Sequence, residues 1–200
     1  MKFFTNSSMK ALRISGIILI FALSFSSTTF AAWRDFYQFK VYHLKTKDQE
    51  ARLDVFLQKA YLPALHRIGI SNIGVFKPIV APNAPEPTDL LVYVFIPFKS
   101  YDEFFKLDKK LLADKQFAID GKDYLDAPFN NVPYSRIESI LLSAFTEAPI
   151  FNLPALNSPK SERVYELRSY EGPTEKLYLN KVDMFNRGGE VTLFKRLGFN

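Results

Sequence analysis

Two stretches of this sequence are repeated later in the chain, and this repetition constrains the fold more than any single motif. Tyr37–Tyr42 (YQFKVY) aligns with Tyr165–Tyr170 (YELRSY), and Leu65–Ile70 (LHRIGI) aligns with Phe194–Phe199 (FKRLGF). The two offsets are 128 and 129 residues, so one single-residue insertion or deletion separates the copies. A repeated strand pattern followed by a repeated helix end indicates a duplicated strand–helix unit.

The first copy opens a longer series of predicted elements. Aromatic and β-branched residues mark four strands, and apolar residues at intervals of three and four mark two helices, each opened by a capping box. In chain order the sequence predicts a strand at 36–44, a helix from Thr46 to Gly69, strands at 73–79 and 90–95, a helix from Ser100 to about Leu112, and a strand at 137–144. The order β-α-β-β-α-β is typical of the α+β ferredoxin-like fold, in which both helices cover one face of an antiparallel sheet.

Two positions predict irregular helices. Pro63 lies inside the first helix and predicts a kink or an early last turn. In the second copy a strand is predicted at Val164–Tyr170 and a helix from Thr174 to Leu197, which contains Gly188–Gly189. Glycine disfavours a helix interior, so either another backbone approaches closely at this point or the helix breaks.

The repeat also predicts the domain organisation. Residues 35–150 form a first ferredoxin-like repeat, 151–161 a linker, and 162–200 the first strand and helix of a second repeat. Because three strands of the second repeat are missing, we expect the sequence to be a C-terminally truncated fragment that continues after Asn200. A complete second repeat would cover the open face of the first sheet and form an α+β barrel; a homodimer is the alternative cover.

The N-terminus has the features of a secretory signal peptide. Three basic residues and an apolar stretch at 14–25 precede small polar residues, and this stretch is shorter than the roughly twenty residues that span a bilayer. Thr29 and Ala31 predict cleavage after Ala31, which would remove residues 1–31. We therefore expect an exported protein, periplasmic or secreted, without a stable membrane span.

The charge balance gives no support to nucleic-acid binding. The chain has 26 basic and 21 acidic residues, and three basic but no acidic residues lie in 1–31, which leaves 23 and 21. The remainder has no Lys/Arg cluster of the kind that neutralises a row of phosphates. No nucleic-acid partner is predicted.

The residue types present exclude several chemistries. With no cysteine, the chain has no disulfide, thiolate metal site or Cys nucleophile. His43 and His66 are the only histidines and lie too far apart to share a metal at i, i+4 spacing. No Ser-His-acid set, nucleophile elbow or glycine-rich phosphate loop occurs. No metal and no cofactor are predicted.

The second copy carries a family motif. Arg163–Tyr170 (RVYELRSY), followed by Phe185–Glu190 (FNRGGE) and Leu193–Phe199 (LFKRLGF), resembles the NIPSNAP family. The first unit resembles it over Tyr37–Tyr42 and Pro63–Gly69. The resemblance implies a fold of the dimeric α+β barrel superfamily, whose members include small monooxygenases and haem-handling enzymes. It implies no catalytic residues, because the family has no agreed catalytic motif.

Strand alternation groups polar side chains into a candidate site. Alternate residues share a face, and in the first strand and its copy these are Gln38, Lys40 and Tyr42, and Glu166, Arg168 and Tyr170. If two sheets faced each other, these side chains would line a polar pocket with charge pairs such as Lys40 with Glu166. Satisfied structural ion pairs or a solvated sheet face are the alternative. The candidate ligand-binding residues are Lys40, Tyr42, Glu166, Arg168 and Tyr170.

Two functions remain compatible with the sequence. The first is an exported binding or interaction module that holds a small apolar ligand or a protein partner, without established catalysis. The alternative is a cofactor-independent or haem-associated monooxygenase-like enzyme, in which Tyr42, Tyr134 and Tyr170 are candidate donors to an oxyanion.

Overall fold

The computed structural model describes residues 33–79, 83, 85, 89–159 and 162–199. The predicted signal peptide, its cleavage site and most of the proline-rich loop after the second strand lie outside these residues. Within the described part of the chain, no helix combines the length and the apolar character needed to cross a bilayer.

Four strands of the described residues form one antiparallel sheet. They are β1 (Phe36–Leu44), β2 (Gly74–Phe76), β3 (Leu90–Phe98) and β4 (Arg136–Ser143), in the order β2-β3-β1-β4. All three neighbouring pairs are antiparallel. This order is that of a split βαβ arrangement, so the α+β class and the element order predicted for residues 35–150 are confirmed.

The chain between β1 and β2 is helical from Lys47 to Arg67. It consists of α1 (Lys47–Phe56), one π-helical turn (Leu57–Tyr61) and α2 (Leu62–Arg67). The Thr46 side chain accepts a hydrogen bond from the Gln49 backbone N–H, as a capping box requires. Gly69 follows the helix with a φ of 92°, a left-handed conformation that glycine adopts without strain.

The irregularity predicted at Pro63 is the π-helical turn that precedes it. The Leu62 N–H reaches back five residues to the Leu57 carbonyl. In an α-helix the proline ring would clash with the carbonyl of Lys59, four residues earlier. A locally wider helix relieves that clash. The turn also places Tyr61 in the interior, where it is 3% exposed.

The second crossover is a series of short helices in place of one long helix. Ser100 caps the first of them through the Glu103 N–H. The helices are α3 (Tyr101–Phe105), α4 (Leu107–Ala113), α5 (Lys115–Asp120) and α6 (Lys122–Leu125). Asp114 caps α5 by accepting from the Phe117 N–H, so the helical region continues well past Leu112.

The hydrophobic core lies between the sheet and these helices. Even-numbered residues of β1 and β3 point toward the helices, and among them Tyr42, Leu44 and Val92 are fully buried. Apolar residues of both crossovers complete the same cluster: Leu53, Phe56, Leu57, Ala60, Tyr61, Ala64, Leu65, Leu107, Leu111 and Phe117. We call this side of the sheet the helix face.

The opposite side, the open face, is also aromatic. Tyr37 and Phe39 of β1 each lie 5.3 Å from the Phe95 ring of β3, measured between ring centroids. Phe151, from the segment after β4, packs on Phe95 at 5.1 Å. The predicted linker therefore covers part of the open face.

Asp35 attaches that linker to the sheet. Its side chain is fully buried, and its carboxylate accepts from the Phe151 backbone N–H at 2.9 Å and from Lys99 Nζ at 2.8 Å. Its own backbone N–H donates to the Pro149 carbonyl at 2.8 Å. One side chain thus joins the start of β1, the end of β3 and the linker.

The second copy does not repeat the first in its secondary structure. Residues 164–170, predicted as a strand, pair with no strand of the described residues. β1 is flanked on both sides by other strands, and residues 171–199 supply no counterparts of those neighbours. The predicted helix is two helices, α7 (Glu175–Asn186) and α8 (Glu190–Arg196). Gly189 separates them with a φ of 82°, so the helix breaks at the paired glycines.

We expect Asp35→Ala to lower the free energy of unfolding by about 2 kcal/mol, because a buried N–H and an ammonium group lose their acceptor. Asp102→Ala is the matched control, since Asp102 pairs with Lys106 on the surface and exposed pairs contribute under about 1 kcal/mol. Urea denaturation of both variants measures the difference. Equal losses would show that Asp35 does not anchor the linker.

Candidate functional site

The structure places Lys40 and Tyr42, together with Gln38, on the helix face. These three residues share one face of β1, and in the described structure this face meets the helices and not a second sheet. The open face, where a second sheet would pack, carries Tyr37 and Phe39. Both faces of β1 are rich in aromatic residues, so hydropathy alone did not indicate which one meets the helices.

Glu166, Arg168 and Tyr170 lie apart from Lys40. Arg168 binds Glu166 through two hydrogen bonds of 2.9 Å, so the expected pair between Lys40 and Glu166 does not form. This exposed pairing lowers the pKa of the Glu166 carboxyl below its ordinary value. Tyr170 packs edge-on against Phe185 of α7, beneath the ammonium of Lys181. The five candidate residues therefore form two separate groups.

The group on β1, which we call the polar strip, consists of Gln38, Lys40 and Tyr42. Tyr42 is fully buried and Gln38 is 6% exposed. Among the described residues, Gln38 Oε1 and the Tyr42 hydroxyl have no hydrogen-bond partner. The Gln38 Nε2 group donates to Ser139 Oγ at 2.7 Å, so only the acceptor end of that amide is unpartnered. Buried polar atoms in native proteins are nearly always hydrogen-bonded, so two such atoms on one strand need an explanation.

Lys40 lies between these two residues and contacts aromatic rings. Its Nζ is 4.9 Å from the ring centroid of Tyr61 and 5.5 Å from that of Tyr42. Burial lowers the pKa of Lys40 below its ordinary value. The Asp108 carboxylate acts at longer range and raises the pKa of Lys40, which offsets part of the effect of burial. Within the described chain, no carboxylate forms an ion pair with Lys40. The ammonium group therefore has ring faces, but no counter-ion, beside it.

Tyr42 of the polar strip belongs to a group of four tyrosines, which we call the tyrosine cluster: Tyr42, Tyr61, Tyr124 and Tyr134. Phe56 links them, because its ring stacks on Tyr124 at 3.8 Å and on Tyr61 at 5.7 Å. Burial raises the pKa values of Tyr42, Tyr61 and Tyr124. The Tyr124 hydroxyl lies close enough to the Tyr42 hydroxyl to offset part of the burial effect on the pKa of Tyr42, but the two do not form a hydrogen bond of acceptable geometry. All three phenols are neutral at physiological pH.

Sequence reasoning missed Tyr61 and Tyr124. Tyr61 stands in the apolar stripe of the first helix, where an aromatic residue fills the core in most proteins. Tyr124 lies in a region with no predicted element. The only available signal was the position of Tyr61 just before Pro63, since a proline-associated π-helical turn is common near functional sites.

This arrangement provides hydrogen bonding and charge in an aromatic environment. The polar strip offers one acceptor, one cation and one hydroxyl that both donates and accepts. Low dielectric strengthens each of these interactions relative to water. The site is thus able to orient a small molecule, and a neutral tyrosine is able to donate to an oxyanion.

His43 belongs to a different group of charged residues, at the end of β1. Its Nδ1 lies 3.0 Å from Asp89 and its Nε2 lies 2.9 Å from Glu138. Lys45 also binds Asp89. The two carboxylates occupy opposite ring nitrogens and do not converge on one point. Within the described ranges no three His, Asp or Glu side chains are placed to hold a metal ion.

Two surface grooves lie away from the polar strip. The first, of about 350 Å³, lies between the first helix and β2 and is lined by Asp54, Leu57, Gln58, Leu62, Pro63, His66 and Val75. The second, of about 540 Å³, lies at the break between α7 and α8. Neither is lined by a residue predicted to bind ligand.

The tyrosine pKa shifts predict alkaline instability. Burial and Asp35 raise the pKa of Tyr37 to about 12, and burial raises that of Tyr42. A tyrosine whose pKa is higher in the folded than in the unfolded protein contributes stability below the unfolded pKa of about 10. This contribution is lost as the pH rises from that value toward the folded pKa. We expect the free energy of unfolding to fall between about pH 10 and pH 12, and Tyr42→Phe to make the fall shallower by up to about 1.4 kcal/mol per pH unit.

Urea denaturation across this pH range, with phenolate absorbance recorded, measures the effect. Tyr178→Phe is the control, because Tyr178 is exposed on α7. The same slope in wild type and Tyr42→Phe would contradict a buried phenol at position 42.

Comparison with known proteins gives limited similarity. Neither a protein-family model nor a curated protein matches the sequence. A NIPSNAP family protein of unknown function from Agrobacterium tumefaciens is 18% identical with a TM-score of 0.43, and the match covers 56% of this chain and 90% of that chain. A NIPSNAP-like domain protein from Burkholderia xenovorans is 14% identical with a TM-score of 0.43, covering 64% and 98%. An ethyl tert-butyl ether d (ethd) family protein from Bacillus halodurans is 12% identical with a TM-score of 0.33, covering 53% and 95%. Similarities this weak establish neither fold nor function, so the topology stands on the strand pairing of this chain.

Proposed function

We propose that this chain is an exported NIPSNAP-family protein that binds a small ligand at the polar strip. The NIPSNAP assignment is supported by the motifs at Arg163–Tyr170, Phe185–Glu190 and Leu193–Phe199. The split βαβ strand order agrees with the fold that this resemblance implies. Export is supported by the signal-peptide pattern of residues 1–31.

The observation that carries the ligand proposal is the pair of buried, unpartnered atoms on either side of Lys40. A buried polar group without a partner costs about 1–3 kcal/mol. Lys40 is partly buried and has no counter-ion among the described residues, so desolvation of its ammonium group adds to this cost. A ligand that supplies partners to all three groups removes these costs on binding, so the free protein is less stable than an apolar variant.

The open face provides a separate surface for assembly. Its exposed apolar residues include Ile140 and Leu142 of β4, each about two-fifths exposed. A second repeat or a second copy of the chain would bury them, as the superfamily resemblance implies. Because ligand and assembly use opposite faces of the sheet, a protein partner on the open face leaves the polar strip unobstructed.

The monooxygenase-like enzyme remains the second candidate. The unpartnered Tyr42 hydroxyl favours it, because a neutral phenol in a low-dielectric site stabilises an oxyanion by donating to it. Haem association has no comparable support, since carboxylates occupy both ring nitrogens of His43. Oxygen consumption in the presence of a bound aromatic substrate would distinguish enzyme from binding protein.

We expect Tyr42→Phe and Lys40→Met each to raise the free energy of unfolding of the ligand-free protein by about 1 kcal/mol, because the first removes a buried hydroxyl without a partner and the second a partly buried cation without a counter-ion. Urea denaturation measures this. Arg168→Ala is the control, since Arg168 is an exposed residue outside the polar strip. A loss of stability in Tyr42→Phe would show that the hydroxyl is bonded in the native state and is structural.

The binding proposal itself is tested by thermal shift with a panel of small aromatic and aliphatic acids, alcohols and amides. We expect at least one compound to raise the Tm of wild type and of Arg168→Ala, and to lose this effect in Lys40→Met and Tyr42→Phe. A compound whose effect survives both of the latter variants binds elsewhere, and such a result would reject the polar strip as the site.

A further inference from the structure

We infer that the polar strip takes a small, singly charged aromatic anion that carries a hydroxyl group, the class of the hydroxybenzoates. This inference rests on the proposed function, because it assigns a ligand class to the same site. Three observations carry it: the charge at Lys40, the acceptor at Gln38, and the rings around them.

The charge of the ligand follows from Lys40. Its ammonium has no ion pair among the described residues, and Asp108 acts on it only at longer range. Contact with the rings of Tyr42 and Tyr61 contributes about 0.5–2 kcal/mol. These contacts do not fully replace the lost hydration, because partial burial still lowers the pKa of Lys40. One oxyanion beside Lys40 supplies the missing counter-ion.

The negative charge of the ligand is also limited to about one unit. Lys40 is the only cation of the polar strip, and the neighbouring phenols are neutral. A phosphate dianion would bring a second negative charge without a partner into a region already influenced by Asp108. A carboxylate or a phenolate therefore suits the site better than a phosphate ester.

The hydroxyl group follows from Gln38. Its Oε1 accepts hydrogen bonds but cannot donate them, and its Nε2 already donates to Ser139. The missing partner is therefore a donor, which a carboxylate alone does not provide. A hydroxyl group on the ligand satisfies Gln38 while the anionic end binds Lys40.

The spacing and the surroundings favour a flat ring between these two groups. Residues 38 and 40 are successive residues on one strand face, and their Cα atoms lie about 7 Å apart. A ring with its hydroxyl and carboxylate at opposite ends spans a similar distance. The tyrosine cluster and Phe56 provide aromatic surface on the same side of the sheet. Aromatic contacts contribute about 0.5–1.5 kcal/mol beyond the area that they bury.

The experiment compares three probes that differ by one group each. Titration calorimetry at pH 7 measures 4-hydroxybenzoate, benzoate, which lacks the hydroxyl, and phenol, which lacks the carboxylate. We expect 4-hydroxybenzoate to bind wild type at least tenfold more tightly than either of the others. Lys40→Met is expected to abolish the preference over phenol, and Gln38→Met the preference over benzoate. Arg168→Ala is expected to leave all three affinities unchanged.

The outcomes separate this inference from the proposed function. Equal binding of phenol and 4-hydroxybenzoate, unaffected by Lys40→Met but lost in Tyr42→Phe, would overturn the anion assignment and leave ligand binding at the strip intact. No binding of any probe, with Tyr42→Phe still more stable than wild type, would overturn the ligand class alone. No binding together with a destabilised Tyr42→Phe would overturn both.

Discussion

The position of β1 inside the sheet is the constraint on which the rest of the structure depends. β3 and β4 hydrogen-bond to its two edges, so its backbone polar groups are satisfied along its whole length. Its side chains then face either the helices or the open side, without a solvent-exposed edge. Polar residues at even positions are thereby carried into the interior beside Leu44, and this creates the unusual environment of Lys40.

Local signals in the sequence predicted the elements well. Thr46 and Ser100 cap helices because their side chains accept from backbone N–H groups three residues later, which depends on neighbouring residues only. Gly69 and Gly189 end or break helices for an equally local reason, since each adopts a positive φ. The strand order followed from the element order and the rules of split βαβ units.

Features of the candidate site that depend on long-range contacts could not be predicted from the sequence. A period of two shows which residues share a face, but it does not show which face meets the helices. The question is decided by packing over the whole sheet, and both faces of β1 carry aromatic residues.

Residues 164–170 illustrate the same limit. Their pattern resembles β1, but a strand forms only where partner strands exist, so the same residue types lie outside the sheet and exposed. The missing partner of the Tyr42 hydroxyl depends on the positions of Tyr124 and Tyr134, which are more than eighty residues away in the chain.

The π-helical turn at Leu57–Tyr61 makes chain length, as well as residue type, a determinant of the site. Each residue advances a helix by about 100°, so removing one residue from this turn would rotate Tyr61 away from Lys40 even if every remaining side chain were kept. Homologues that share these side chains but are one residue shorter before the proline would present a differently shaped interior. An alignment gap at this point therefore separates proteins with this ring arrangement from those without it.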